Sequence, residues 1–66
     1  MSVMKVLEIM AESEKSWEDA TAKAIAKASE TVKDIRSAYV QEQSVTVMGN
    51  KLHKYRINLK ITFEVQ

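Results

Sequence analysis

The chain contains one histidine, His53, and no cysteine. A multi-histidine metal site and thiolate chemistry are therefore excluded. His53 stands beside Lys54 at a hairpin end, with no Ser or Asp partner that can be placed near it. It reads as a solvated turn histidine rather than a catalytic base. Glu8, Glu12, Glu14 and Glu18 are close in sequence, but they lack the EF-hand spacing and its glycine. They read as ordinary surface charge. The single glycine, Gly49, cannot build a phosphate-cradling loop. No set for nucleophilic catalysis assembles, so the expectation is that the protein is not an enzyme.

Binding chemistry has better candidates. Arg36 and Arg56 are the only arginines, and both fall on strand-like segments. Arginine can hold a phosphate or carboxylate bidentately. The same two residues could equally form ion pairs between subunits with Glu42 or Glu64. Trp17 opens a helical segment, as a core or interface anchor or as a platform for a stacked ligand.

These residues sit in a chain of 66, enough for a single domain spanning 1–66. It is 45% hydrophobic and 29% charged, a mixture that folds rather than staying disordered. Ten basic and nine acidic residues leave a formal charge of +1. A nucleic-acid stripe needs a clear basic surplus, so no nucleic-acid partner is expected. No apolar run approaches the roughly 20 residues that span a bilayer, so no membrane role is expected. The N-terminal residues lack a charged start followed by an apolar core. A cytoplasmic location is the expectation.

Four elements must carry the candidates. Val3–Ala11 reads as a strand with two largely apolar faces, which calls for cover on both sides. Glu12–Lys15 is a break. Ser16 is an N-cap with Asp19 in the capping-box position, and Glu18 and Asp19 complement the positive helix end. Trp17, Thr21, Ala24, Ile25, Ala28, Val32 and Ile35 mark one helix face. Asp19–Lys23 and Lys27–Glu30 have helix-pair spacing. The helix is predicted from Ser16 or Trp17 to about Lys33, with Lys33 suiting its last turn. Ile35–Val47 is a second strand with a polar upper half. Met48–Leu52 is a turn built on Gly49-Asn50. The last strand alternates cleanly: Tyr55, Ile57, Leu59, Ile61, Phe63 and Val65 face one way. Lys54, Arg56, Asn58, Lys60, Thr62, Glu64 and Gln66 face the other.

The predicted class is α+β: strand–helix–strand–strand, a three-stranded antiparallel sheet packed on one helix. Hairpin arms of roughly twelve residues reach about 40 Å, while the helix spans about 27 Å. Part of the hairpin must overhang its own helix and needs a neighbour. A single core this small gives roughly 3–5 kcal/mol. Without disulfides, association with itself is the leading reinforcement.

Ser16-Trp17-Glu18-Asp19 opens an alanine-rich helix. Glu30-Thr31-Val32-Lys33-Asp34-Ile35 leads into the second strand, and Lys54-Tyr55-Arg56-Ile57-Asn58-Leu59-Lys60-Ile61-Thr62-Phe63-Glu64-Val65 ends the chain. In that order, over almost the full length, these segments resemble the dodecin family. The resemblance implies a homododecamer enclosing a hollow shell, with a binding or storage role. Many dodecins bind flavins as stacked pairs. By that resemblance the flavin-stacking tryptophan position is held here by Ser37. The glutamine after the third-strand aromatic is replaced by Arg56, and a ligand-contacting carboxylate is matched by Glu42. Ser37, Arg56, Glu42 and neighbouring Arg36 are therefore the expected ligand-binding residues. Flavin is disfavoured, and a small anionic molecule is the expected guest. Ser-Trp-Glu, Asp34-Ile35-Arg36 and Tyr55-Arg56 look more like a branch lacking the stacking tryptophan, which includes a calcium-binding dodecin. Calcium is thus a possible ligand, with no ligand set assigned. If Arg56 pairs with Glu42 of the same or another chain, the pocket is closed.

Overall fold

A computed structural model describes residues 2–65. Its elements are β1 (Met4–Ser13), α1 (Trp17–Ala28), β2 (Ile35–Met48) and β3 (Lys51–Glu64). They form a three-stranded antiparallel sheet in the order β1-β3-β2, with the helix against one face. The α+β class predicted from the sequence is the fold observed.

The strand with the cleanest alternation takes the centre of the sheet. Ile57, Leu59 and Ile61 are fully buried. Ala20 and Ala24 of α1 meet Ile57 and Leu59, with Ile9, Ala11 and Trp17 at the margin. Small alanines allow the helix to approach the sheet closely. Trp17 packs edge-on against Tyr55, ring centroids 5.2 Å apart. Its indole N–H donates to the Ser44 carbonyl at 3.1 Å, tying the helix start to β2.

Ser16 caps the helix as predicted: its Oγ accepts from the Asp19 N–H at 2.9 Å. The Asp19–Lys23 and Lys27–Glu30 pairs also form, at 3.1 and 3.4 Å. The helix is shorter than predicted, ending at Ala28 rather than near Lys33. Ser29 Oγ bonds the Ile25 carbonyl at 2.7 Å, and Glu30 and Thr31 make tighter i−3 bonds. A hydroxyl competing for helix carbonyls loosens the last turn. Lys27 therefore takes the last-turn position expected of Lys33. Asp34, at φ 60°, then redirects the chain into β2.

β1 runs two residues further than predicted, to Ser13, because Glu12 and Ser13 pair with Arg56 and Tyr55. The turn contracts to Gly49-Asn50, with φ of 58° and 61°. Two positive-φ residues form the tight connection that matches strand twist. His53 is consequently a half-buried β3 residue, not a turn histidine. Gln66, predicted to face outward, lies outside the described residues.

Each hairpin arm has 14 residues, about 48 Å of strand. The helix of 12 residues covers about 18 Å. The overhang thus exceeds the prediction, and the described chain measures 51 Å in its longest dimension. Val6, Met10, Tyr39, Val47, Met48 and Leu52 stay exposed in the single subunit. Among the described residues no helix is long and apolar enough to cross a membrane.

Candidate ligand-binding face

Directly opposed residues in a sheet point to the same side. Register therefore sorts the face turned away from the helix. Thr62 lies between Val6 and Ser37, and Lys60 between Glu8 and Tyr39. Asn58 lies between Met10 and Glu42, and Arg56 between Glu12 and Ser44. Three expected site residues, Ser37, Glu42 and Arg56, thus share one face. That was not apparent from strict alternation, which put Ser37 and Glu42 on opposite faces. Irregularities between Ile35 and Ser37 and between Val40 and Glu42 insert Arg36 and Gln41 as extra residues. Each inserted residue shifts the side-chain phase. A third, between Thr46 and Val47, makes His53 the extra residue on β3.

The four residues are not brought together within the subunit. Ser37 is opposite Thr62, whereas Arg56 lies six positions along β3, about 20 Å away. Arg36 sits at the Ser37 end, and its guanidinium bonds Glu64 at 3.0 and 3.3 Å. Glu64 was one of its two anticipated partners, and the pair forms within one chain.

Within the chain Arg56 pairs with Glu12 rather than with Glu42. Its Nε donates to Glu12 Oε1 at 2.8 Å, its Nη2 reaches the same oxygen, and Lys54 Nζ lies 3.6 Å from Glu12 Oε2. The cause is register, since Glu12 is the direct β1 partner of Arg56. Glu12 is held below its ordinary carboxyl range, first by the Arg56 hydrogen bond. Two cations thus share one carboxylate, with the Glu42 carboxylate two positions along the same face. Glu42, two positions along, is opposite Asn58, whose buried Oδ1 has no hydrogen-bond partner.

Glu12, Lys54 and Asn58 were missed as site residues. The only sequence signal for them was placement on the polar side of β3, or in an acidic run. Glu12 and Lys54 also border a small polar hollow of about 260 Å³ at the end of β1. There Ser13, only 4% exposed, donates to Asp19 Oδ2 and accepts from the Lys15 N–H at 2.9 Å. Ser13 and then Lys23 hold Asp19 below its ordinary range.

The strand–helix–hairpin chain has counterparts among known proteins. The family model described as Dodecin matches residues 3–66. The chain belongs to the dodecin family. It is 42% identical to the calcium dodecin of Mycobacterium tuberculosis over 66 residues, covering 100% of this chain and 93% of that one. The crystal structure of that dodecin, described as having a novel calcium-binding site, superposes with a TM-score of 0.86 over 98% of this chain and 93% of the other. A point mutant of Thermus thermophilus dodecin gives a TM-score of 0.95 at 26% identity, covering 100% and 98%. Streptomyces coelicolor dodecin, at 18% identity, has the same fold with a TM-score of 0.94, covering 98% and 93%.

Proposed function

We propose that this dodecin is a non-catalytic homododecameric shell that binds or stores a small anionic molecule in pockets shared between subunits. One observation carries the reading. Ser37 and Arg56, which the family resemblance assigns to a ligand, share a face yet lie about 20 Å apart along one hairpin. A second subunit must bring such residues into one pocket. The exposed Val6, Met10 and Tyr39 on the same face supply apolar surface for that contact.

Any binding of anions here should be weak. Arg56 is engaged by Glu12, so a guest meets a guanidinium already shared with a carboxylate, beside Lys54 and Glu42, rather than a free one. Ser37 offers no ring for a flavin to stack on, and stacking contributes about 0.5–1.5 kcal/mol per pair beyond burial. Riboflavin titration followed by fluorescence quenching tests this reading. The unmodified protein should bind weakly, and Ser37→Trp with Arg56→Gln should bind more tightly. Tight binding by the unmodified protein, about 8–12 kcal/mol, would overturn it. Absorption and mass spectra of material released from native protein would identify the guest.

Calcium is the second reading, favoured by the 42% identical calcium dodecin and by Glu42 opposite the unpartnered Asn58 Oδ1. Calcium takes 6–8 oxygen ligands. Among the described residues no cluster of three or more His, Cys, Asp or Glu could hold a metal. One subunit alone therefore does not fit the ion, and this reading also needs a shared site. Calorimetric titration with calcium separates the two: stoichiometric uptake lost in Glu42→Gln favours calcium. Absence of uptake, of released material and of anion binding would leave a purely structural assembly.

A further inference from the structure

One acceptor on the sheet face turned away from the helix is left without a donor. Asn58 Oδ1 is buried and has no hydrogen-bond partner among the described residues. A buried acceptor without a donor costs free energy, and native structures keep few of them. Register puts Glu42 beside it on β2 and Met10 beside it on β1. Both neighbours are exposed, unbranched side chains that can swing aside. Asn58 Oδ1 and the Glu42 carboxylate together offer acceptors for the two hydrogens of one amino group. Calcium, with 6–8 oxygen ligands, needs more than this pair.

One step along the same face stand a ring and a cation. Tyr39 opposes Lys60, two β3 positions from Asn58, about 7 Å away. Tyr39 is 66% exposed. Ser37 and Thr62, opposed on its far side, are too short to cover the ring. Among the described residues Lys60 forms no ion pair, although Glu8 is its β1 neighbour.

We infer that this face binds a planar aromatic acid carrying an amino group at the opposite end of its ring. The ring lies against Tyr39, the carboxylate meets Lys60, and the amino group donates to Asn58 Oδ1 and Glu42. The step of about 7 Å suits a benzene ring with its two groups in para positions. Glu42 repels a carboxylate and Lys60 attracts it, so one orientation is favoured. Glu8 tempers the attraction of Lys60, which keeps the binding weak. The inference rests on the small-anion reading above and adds the chemical class of the guest.

The probe is 4-aminobenzoate, titrated calorimetrically into the unmodified chain, with benzoate, 3-aminobenzoate and inorganic phosphate for comparison. The expected dissociation constant is on the order of 0.1–1 mM. Benzoate lacks the donor and should bind about tenfold more weakly, with 3-aminobenzoate between the two. Tyr39→Leu should weaken binding about fivefold, whereas Tyr39→Phe should not. Lys60→Gln should weaken it at least about threefold. Equal binding of benzoate and 4-aminobenzoate, or binding of phosphate alone, overturns the inference and leaves the small-anion reading standing. No binding of any of these anions overturns both. Asn58→Leu gives a second readout, because it removes the unpaired acceptor. Guest-free protein should melt higher, while 4-aminobenzoate binds more weakly. A lower melting temperature would show that the oxygen already has a donor in the intact protein, and would contradict the inference.

Discussion

Leu59→Ala should separate the stability of one core from the stability of an assembly. Leu59 is fully buried at the centre of the sheet, between register partners Ile9 and Val40 and beneath Ala20 and Ala24. The neighbouring alanines have no longer side chains to swing into the vacated space, and the sheet backbone holds its spacing. Most of the cavity therefore persists, placing the loss at about 3–4 kcal/mol. A single core of this size supplies roughly 3–5 kcal/mol. An isolated subunit would be left near zero, with a large unfolded fraction. In an assembly, mass action returns folded chain as concentration rises. Far-UV circular dichroism melts of the variant, over about a hundredfold range of concentration, should show a midpoint that rises with concentration. A melt independent of concentration, or a loss below about 1 kcal/mol, would refute the reasoning.

Acid should destabilise the fold through Glu12 and Asp19. Both carboxyls are held below their ordinary values of 4.5 and 3.8, Glu12 by Arg56 and Asp19 by Ser13. A lowered folded-state value contributes stability that is present above the unfolded value and lost as pH falls through the folded one. Stability should hold near neutrality and decline below about pH 4.5. Urea titrations of Glu12→Gln with Asp19→Asn should show a flatter acid limb, and an unchanged limb would exclude these two groups as its source. Gly49→Ala meets no atom within 4 Å but must adopt φ +58°. It should cost about 1–2 kcal/mol from backbone conformation alone, with Gly49→Asn costing less; equal melts for all three would contradict the turn geometry.

Much of the fold was legible because its signals are local. The alternation from Tyr55 to Phe63 placed Ile57, Leu59 and Ile61 on one buried face. Ser16 identified the helix start, and Gly49-Asn50 the turn. The helix end was not legible, because Val32 and Ile35 continue the apolar period while the Ser29 hydroxyl has already taken a helix carbonyl. The candidate face was read only in part. Strict alternation cannot reveal the extra residue Gln41, which brings Ser37 and Glu42 to the same side. The partner of Arg56 depends on strand register across 44 positions, and nothing local in the sequence selects Glu12 over Glu42. The resemblance to dodecins named positions in a family, but the separation of Ser37 from Arg56 emerged only with the sheet.

Sedimentation of the unmodified chain at micromolar concentration tests self-assembly most directly. Twelve chains of 7.5 kDa predict one species of about 90 kDa, closed by symmetry. That species should carry whatever small molecule co-purifies. A stable, folded 7.5 kDa monomer would contradict both the shell and the shared pocket.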